Sequence, residues 1–168
     1  MFTITAETRL ARPGDADAIS EVHAGSWRNA YSGMVPHGAL ARMINRRDAG
    51  WWLNAIRRST IILVIELGDE IAGYATLGPN RVKTFPQEGE IYEIYLLPEY
   101  QGVGLGAKLF ADARFELRRR NYEGLVVWVL EDNDNAISFY ENAGGRQIAT
   151  GCEVFDGKTL KKIAYAWD

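Results

Sequence analysis

The sequence predicts an α/β (α+β) fold in which one mixed, mostly antiparallel and twisted sheet of about seven strands carries about four helices on its faces. Two observations support this prediction. Three apolar, alternating segments follow one another without an intervening helix, and the third is followed by a segment of helical period and a further strand. With 168 residues, of which 47% are hydrophobic and 24% charged, the chain fits a single domain over residues 1–168.

The N-terminal third is predicted to hold one strand and two helical stretches. Residues 4–10 alternate weakly between polar and apolar side chains and indicate the first strand. A Pro-Gly pair ends it, and apolar residues at helical spacing then lead to Trp27. A second helical stretch covers residues 40–56, with a break near Gly50.

The remaining elements alternate more clearly. Residues 61–66 and 71–77 flank a Gly-Asp pair and predict a hairpin, to which residues 90–97 add a third strand. The segments that follow are a helix with apolar positions from Leu105 to Leu117, a strand at residues 125–130, a short helix ending at Ala143, and two strands near Val154 and at residues 163–167.

A glycine-rich segment is the strongest functional signal in the chain. Gly102, Gly104 and Gly106 lie between a predicted strand and a helix whose apolar repeat begins at Leu105. Glycines let the backbone turn tightly and leave its N–H groups uncovered. Because the positive end of a helix dipole also attracts anions, the segment predicts a site for a phosphate or pyrophosphate.

Three classes of phosphate-binding loop compete for this segment. A Walker A loop is excluded because Ala107 and Leu109 stand where its second glycine and its hydroxyl residue belong. A dinucleotide fingerprint fits at Gly102, Gly104 and Ala107. In that fold, however, the strand runs straight into the first glycine, whereas here four residues intervene. A dinucleotide enzyme therefore stays as the weaker alternative to the third class.

The third class rests on a resemblance. Residues 101–106, Q-G-V-G-L-G after a strand and a proline, are similar to the acyl-CoA-binding motif Q/R-x-x-G-x-G/A of the GNAT superfamily of N-acetyltransferases. Asn133 follows the next strand and Tyr140 lies seven residues later, as in the second motif of that superfamily. Residues 22–36 also resemble the first helix of one of its branches, so the resemblance covers most of the chain.

The resemblance implies that acetyl-CoA is the cosubstrate. In this superfamily the strand before the glycine loop splays from its parallel neighbour at a bulge and binds the pantetheine arm through main-chain groups. The cofactor-binding residues implied in this way are Leu96, Leu97, Gln101, Gly102, Val103, Gly104, Leu105, Gly106, Ala107, Asn133 and Tyr140.

Acetyl transfer to an amine needs a base and an acid. An amine like that of lysine, with a pKa of about 10.4, is mostly protonated at neutral pH, and the departing thiolate needs a proton. The resemblance makes Tyr140 the acid. Glu90 and Glu93 are the candidate bases; strand periodicity puts them on opposite faces unless a bulge intervenes. Glu90 is preferred because it begins the pattern E-I-Y-x-I-Y, in which the chain resembles one branch of the superfamily.

The acceptor is predicted to be an amine-bearing molecule, either a small molecule or a protein N-terminus. Trp27 and Tyr31 are the candidate substrate-binding residues, since they lie in the N-terminal helical region that covers the acceptor side in this superfamily. His23 and His37 have no partner at ligand spacing, which predicts no metal site. A non-catalytic acyl-CoA-binding module remains an alternative function, and a homodimer is possible through the late strands.

Composition sets the wider expectations. A formal net charge of −3 argues against nucleic acid and anionic membranes as partners. Cys152 is the only cysteine, so no internal disulfide can form and a reducing compartment is expected. The longest aliphatic run, residues 61–65, is too short to span a bilayer, and the first residues lack the core of a signal peptide. The sequence therefore predicts a cytoplasmic protein.

Overall fold

A computed structural model describes residues 5–168, which form seven strands and five α-helices. The prediction of about seven strands is confirmed, and there is one helix more than expected. Ile4, the predicted start of the first strand, lies outside the described residues. The strands are β1 (Ala6–Leu10), β2 (Ile61–Leu67), β3 (Glu70–Pro79), β4 (Gly89–Leu96), β5 (Leu125–Leu130), β6 (Arg146–Phe155) and β7 (Lys158–Trp167); the helices are α1 (Ala16–Tyr31), α2 (His37–Arg46), α3 (Ala49–Arg57), α4 (Leu105–Arg119) and α5 (Asp134–Asn142).

The additional helix comes from the stretch at residues 40–56, which the structure divides into α2 and α3. The break falls at Arg47 and Asp48, slightly earlier than predicted. Asp48 is the N-cap of α3, and its carboxylate accepts a hydrogen bond from the amide of Trp51 at 2.9 Å. A cap of this kind satisfies one of the free amides of the first helical turn, so it fixes where the new helix begins.

The seven strands form one sheet in the order β1-β2-β3-β4-β5-β7-β6. Every neighbouring pair is antiparallel except β4 and β5, which are parallel. This confirms the mixed, mostly antiparallel sheet. β4 and β5 pair only at Gly89 with Leu125 and at Glu90 with Val126, and beyond these two pairs the strands diverge. The sheet therefore opens into a splay at the C-terminal end of β4.

A β-bulge interrupts β4 just after its last pair with β5. Thr76 and Leu77 are consecutive on β3, but their partners on β4 are Glu93 and Ile91, so Tyr92 is an extra residue. One extra residue shifts the alternation of side chains between the two faces of a strand. Glu90 and Glu93 consequently lie on the same face of the sheet.

Helices cover both faces of the sheet. On one face, Ile91 packs with Leu109 of α4, in a core that Tyr140 of α5 also joins. On the other face, Ile19 of α1 and Trp52 of α3 pack against Tyr74. The splay and the bulge therefore lie in the middle of the sheet, between two separate helical layers. No helix within residues 5–168 is long and apolar enough to cross a membrane.

Candidate active site

A cleft of about 770 Å³ opens where β4 and β5 diverge. Its walls come from the C-terminal half of β4, the glycine loop with the first turn of α4, and the segment that leads into α5. The structure thus brings together the glycine loop, which begins at Gln101, and the second motif, which begins at Asn133. Eight of the predicted cofactor residues line this cleft: Leu96, Gln101, Gly102, Gly104, Gly106, Ala107, Asn133 and Tyr140.

The glycine loop presents free amides to the cleft. Gly102 and Gly104 have φ angles of 81° and 86°, in the left-handed region that residues with a side chain adopt only at a cost. Within residues 5–168, the backbone N–H groups from Gly102 to Ala107 have no acceptor, and the first backbone bond is that of Lys108 to the carbonyl of Gly104 at 3.2 Å. Consecutive free amides at a helix N-terminus suit a pyrophosphate.

The edge of β4 supplies a second set of free backbone groups. The amide of Leu97 donates to the carbonyl of Ala72 at 2.9 Å, towards β3. Backbone groups of an antiparallel strand alternate in direction, so those of Ile94 and Leu96 point into the splay. Gln101 donates from Nε2 to the Leu96 carbonyl at 3.1 Å, which ties the loop to this edge. The structure therefore leaves the backbone groups of Ile94 and the amide of Leu96, rather than the amide of Leu97, to an extended ligand.

Three predicted cofactor residues do not line the cleft. Leu97 packs in the core of the opposite face, with its amide already bonded to β3. The side chain of Leu105, the first residue of α4, is buried in the core between α4 and the sheet. Val103 is 69% exposed to solvent. Leu97 was predicted from the main-chain groups of the splayed strand, and Val103 and Leu105 from their place in the motif. Of Val103 and Leu105, only the main-chain amides can serve a ligand.

Asn133 and Tyr140 both reach the cleft from α5. The Asn133 side chain caps the helix by accepting a hydrogen bond from the amide of Ala136 at 3.3 Å. Tyr140 is buried, and its hydroxyl has no hydrogen-bond partner among residues 5–168. Burial, together with the charge of Tyr31 nearby, raises the pKa of Tyr140 above its usual range. Its phenol therefore keeps its proton at neutral pH.

A second cavity, of about 650 Å³, lies on the other face of the sheet. Trp27 and Tyr31, the predicted substrate-binding residues, both line it. Tyr95 lines this cavity and the cleft alike, so the two spaces meet at that residue. The hydroxyl groups of Tyr31 and Tyr95 share a hydrogen bond of 2.5 Å at the junction. The predicted acceptor side and the predicted cofactor side are thus adjacent.

The two candidate bases have different surroundings. Glu93 lines the second cavity, two residues before Tyr95, and accepts a hydrogen bond from the Tyr74 hydroxyl at 2.8 Å. Glu90 is only 1% exposed and lines neither cavity. The Nη2 atom of Arg81 lies 2.6 Å from its carboxylate, and the Arg81 amide donates to it at 3.0 Å. The geometry therefore favours Glu93 over Glu90, the residue that the sequence pattern preferred.

Sequence reasoning missed the residue that faces Glu93. Arg47, in the break between α2 and α3, forms an ion pair with the Glu93 carboxylate. Its guanidinium lies over the Trp51 ring, 4.3 Å from the centroid, and also lines the second cavity. A helix break close to a predicted acceptor region was the available signal, but nothing in the sequence indicates which strand residue the arginine meets.

His23 is fully buried beside Trp27, Trp52 and Tyr74. Neither ring nitrogen has a hydrogen-bond partner among the described residues. Burial, with a smaller effect of the charge on Arg47, lowers the pKa of His23 to about 3. The imidazole is therefore neutral at physiological pH. Across residues 5–168, no group of three or more His, Cys, Asp or Glu side chains is arranged to hold a metal ion.

Comparison with known proteins assigns the chain to a family. The model of the Acetyltransferase (GNAT) family matches residues 25–144. An uncharacterized N-acetyltransferase, YuaI of Bacillus subtilis, is 30% identical over 159 residues, which cover 95% of this chain and 91% of that protein. A spermidine N(1)-acetyltransferase of Thermoplasma acidophilum is 25% identical over 139 residues, covering 82% and 86% of the two chains.

The fold is shared with solved structures. The PaiA N-acetyltransferase of Thermoplasma acidophilum, solved in complex with coenzyme A, superposes with a TM-score of 0.76 over 97% of this chain and 99% of that one, at 21% sequence identity. The matched residues 25–144 include the glycine loop, the splayed strand and α5, from which the cleft is built. The chain therefore belongs to the GNAT family of acetyltransferases.

Proposed function

We propose that this acetyltransferase moves the acetyl group of acetyl-CoA directly to a primary amine of a small molecule or protein N-terminus, within one domain and without a covalent acyl-enzyme. The observation that carries the proposal is the junction of two cavities at Tyr95. One cavity has free loop amides and an open strand edge, as an anionic, extended cosubstrate requires. The other has aromatic walls and a carboxylate, as an amine requires.

The residues of the cleft fit acetyl-CoA, which supplies the acetyl group as an activated thioester. The amides of residues 102–107 suit the pyrophosphate, so binding needs no basic residue within the loop. Ile94 and Leu96 offer backbone groups to the amides of the pantetheine arm. Asn133 adds a side-chain amide from the opposite wall of the cleft.

Glu93 is the proposed base. At pH 7, freeing the lone pair of an amine with a pKa of about 10.4 costs roughly 4.6 kcal/mol, so a carboxylate that accepts the proton lowers the barrier. Tyr140 is the proposed acid, giving its proton to the departing sulfur. A carbon–nitrogen bond forms and the carbon–sulfur bond breaks. Overall, an ammonium group and acetyl-CoA give an acetamide, the CoA thiol and one proton released to solvent.

The first test is calorimetric titration of the purified protein with acetyl-CoA, CoA and NAD in parallel. Saturable binding of acetyl-CoA with no heat from NAD supports the proposal. Binding of NAD alone would indicate a dinucleotide enzyme and remove the roles given to Glu93, Asn133 and Tyr140. A panel of amines with a thiol-release readout follows, with spermidine included because of the name of the Thermoplasma relative. Binding of acetyl-CoA with no thiol release across the panel would indicate a non-catalytic acyl-CoA-binding module.

We also propose a cytoplasmic location and a homodimer. The single cysteine, Cys152, is exposed and free, which suits a reducing compartment. β6 is an edge strand of the sheet and leaves backbone groups available for pairing with a second copy. Sedimentation analysis across protein concentrations tests the dimer, and a monomer at every concentration contradicts it.

A further inference from the structure

The second cavity also constrains which amine the enzyme accepts, if acetyl transfer to an amine is correct. Arg47 is the decisive residue. Within residues 5–168, its guanidinium donates one hydrogen bond, from Nη1 to Glu93, whereas an arginine has five N–H donors. The side chain is 26% exposed and lines the cavity. Donors of this planar group are therefore available to an acceptor that enters the cavity.

The position of that guanidinium is fixed. It stacks over Trp51 at 4.3 Å and lies 5.8 Å from the ring centroid of Trp27. Stacking on aromatic rings restrains a guanidinium in one plane and leaves its edge free for hydrogen bonds. A preorganised arginine edge is the usual partner of a carboxylate, which it binds through two parallel bonds.

A second polar group lies at the same end of the cavity. Thr76 is the register partner of Glu93 on β3 and lines the cavity. It is 5% exposed, and its Oγ1 has no hydrogen-bond partner among the described residues. A buried hydroxyl without a partner is costly, so a polar ligand group at this end would improve the site.

The rest of the cavity does not favour a polycation. Its other two cations are already engaged, Arg81 with Glu90 and Lys162 with Glu153. Glu93 and Glu153 are the carboxylates that line it, and each already holds one of the chain's own cations. A long polyamine would have to displace these cations, whereas a ligand with one ammonium and one carboxylate keeps the cavity neutral.

We propose that the acceptor is an amino carboxylate with an apolar side chain. Its carboxylate lies against the free edge of Arg47, its ammonium lies at Glu93 beside the junction with the cleft, and its side chain packs on Trp27 and Trp51. Arg47 is then a specificity residue that binds the acceptor. Because a cation and an anion lie side by side at one end of the cavity, the site selects an amine and a carboxylate attached to the same carbon atom.

The test compares amino acids with their decarboxylated counterparts. Thiol release from acetyl-CoA is measured with L-tryptophan and tryptamine, L-phenylalanine and phenethylamine, and L-leucine and isoamylamine. In at least one pair the amino acid is expected to have a kcat/KM about tenfold or more above that of the amine, since a site built for a polar group rejects the analogue that lacks it. A preference for the amine in every pair, or a higher kcat/KM for spermidine, overturns the proposal.

Variants separate recognition from structure. Arg47→Met is expected to lower kcat/KM for the amino acid by about 100-fold and to change that for its matched amine by less than about threefold. Arg47→Lys keeps the charge near Glu93 but loses the planar edge. Its kcat/KM for the amino acid is expected to lie between those of Arg47→Met and the unsubstituted enzyme. Arg42→Met is the matched control, because Arg42 pairs with Asp156 on the surface and lines neither cavity. Equal losses for amino acid and amine in Arg47→Lys would mean that Arg47 is only structural.

The outcomes also separate this inference from the proposed function. Acetylation of amines without any preference for a carboxylate overturns the inference and leaves acetyl transfer intact. Failure to release thiol with any acceptor, despite binding of acetyl-CoA, removes the proposed function and the inference with it.

Discussion

Replacing Gly104 with alanine isolates the contribution of one backbone conformation to cosubstrate binding. Gly104 has φ 86° and ψ 1°, and a Cβ built on it meets nothing within 4 Å. A steric clash with the rest of the protein is therefore absent, and the whole effect of the substitution comes from the left-handed conformation, which costs an alanine about 1–2 kcal/mol. If the loop keeps its shape, this cost lowers the free energy of unfolding.

If the loop instead relaxes to a negative φ, its amides turn away from the cleft and the cost appears in ligand binding. The dissociation constant of acetyl-CoA then rises by about 5–30-fold, which corresponds to the same 1–2 kcal/mol. A mixture of the two responses lies between these limits. If the whole cost appears as lost stability, the melting temperature of a domain of this size falls by about 2–8 °C.

Calorimetric titration with acetyl-CoA and a thermal melt of the free protein measure both responses. Gly104→Asn should lose less than Gly104→Ala, because asparagine tolerates the left-handed region better. Gly14→Ala is the control, since a Cβ there is equally free of contacts and the backbone is not left-handed. The reasoning is refuted if Gly104→Ala matches the unsubstituted protein in both affinity and melting temperature.

Three further predictions concern protons. Tyr140→Phe should lower kcat by about 10²–10⁴-fold with acetyl-CoA affinity unchanged, and an unaltered kcat, where chemistry limits the rate, removes Tyr140 from the mechanism. Glu93→Gln should lower kcat/KM at pH 7, and the loss should shrink as pH approaches the pKa of the amine; Glu90→Gln should lack this pH signature, and the reverse result would restore Glu90 as the base. Since burial lowers the pKa of His23 from 6.5 to about 3, the unfolded chain binds more protons in that window, and stability falls as pH drops below 6.5, by up to about 2 kcal/mol at pH 5. The measurement is the urea midpoint at pH 5 and at pH 7.5. The control variant His37→Leu, whose site is exposed, should keep the loss of stability between the two pH values, whereas His23→Leu should lose part of it. An equal loss in both variants contradicts the lowered pKa of His23.

The elements that were predictable from the sequence are those with local signals. The hairpin of β2 and β3, the glycine loop before α4 and the cap of α5 each depend on residues close together in the chain. The relative orientation of the two candidate bases was not predictable from the apolar pattern, in which the bulge at Tyr92 leaves no mark. Period 2 puts Glu90 and Glu93 on opposite faces unless a bulge intervenes. Only the family resemblance indicated such a bulge, and the one extra residue puts both side chains on the same face.

The acceptor side was the least predictable part of the site. Arg47 and Glu93 are separated by 46 residues and Tyr31 and Tyr95 by 64. Such pairs meet only once the sheet and α1 have packed, and each residue on its own resembles an ordinary surface charge or core aromatic. Gly145 likewise has a distant explanation, because a Cβ there would lie 2.6 Å from the Trp167 ring, which occupies the space.

The short pairing of β4 with β5 has a consequence for the mechanics of the whole protein. Among the described residues, the half-sheet β1–β4 and the half-sheet β5–β7 are joined along the backbone only over the short stretch from Glu88 and Glu123 to Glu90 and Val126. The fold therefore contains a weakly paired line beside the candidate cofactor cleft. A ligand lying in the splay contacts both halves of the sheet and takes the place of the hydrogen bonds that β4 and β5 do not form with each other. The rigidity of the sheet and the occupancy of the cleft are thereby coupled. A variant that closed the splay with longer pairing of β4 and β5 would strengthen the sheet but would remove the cleft that holds the ligand.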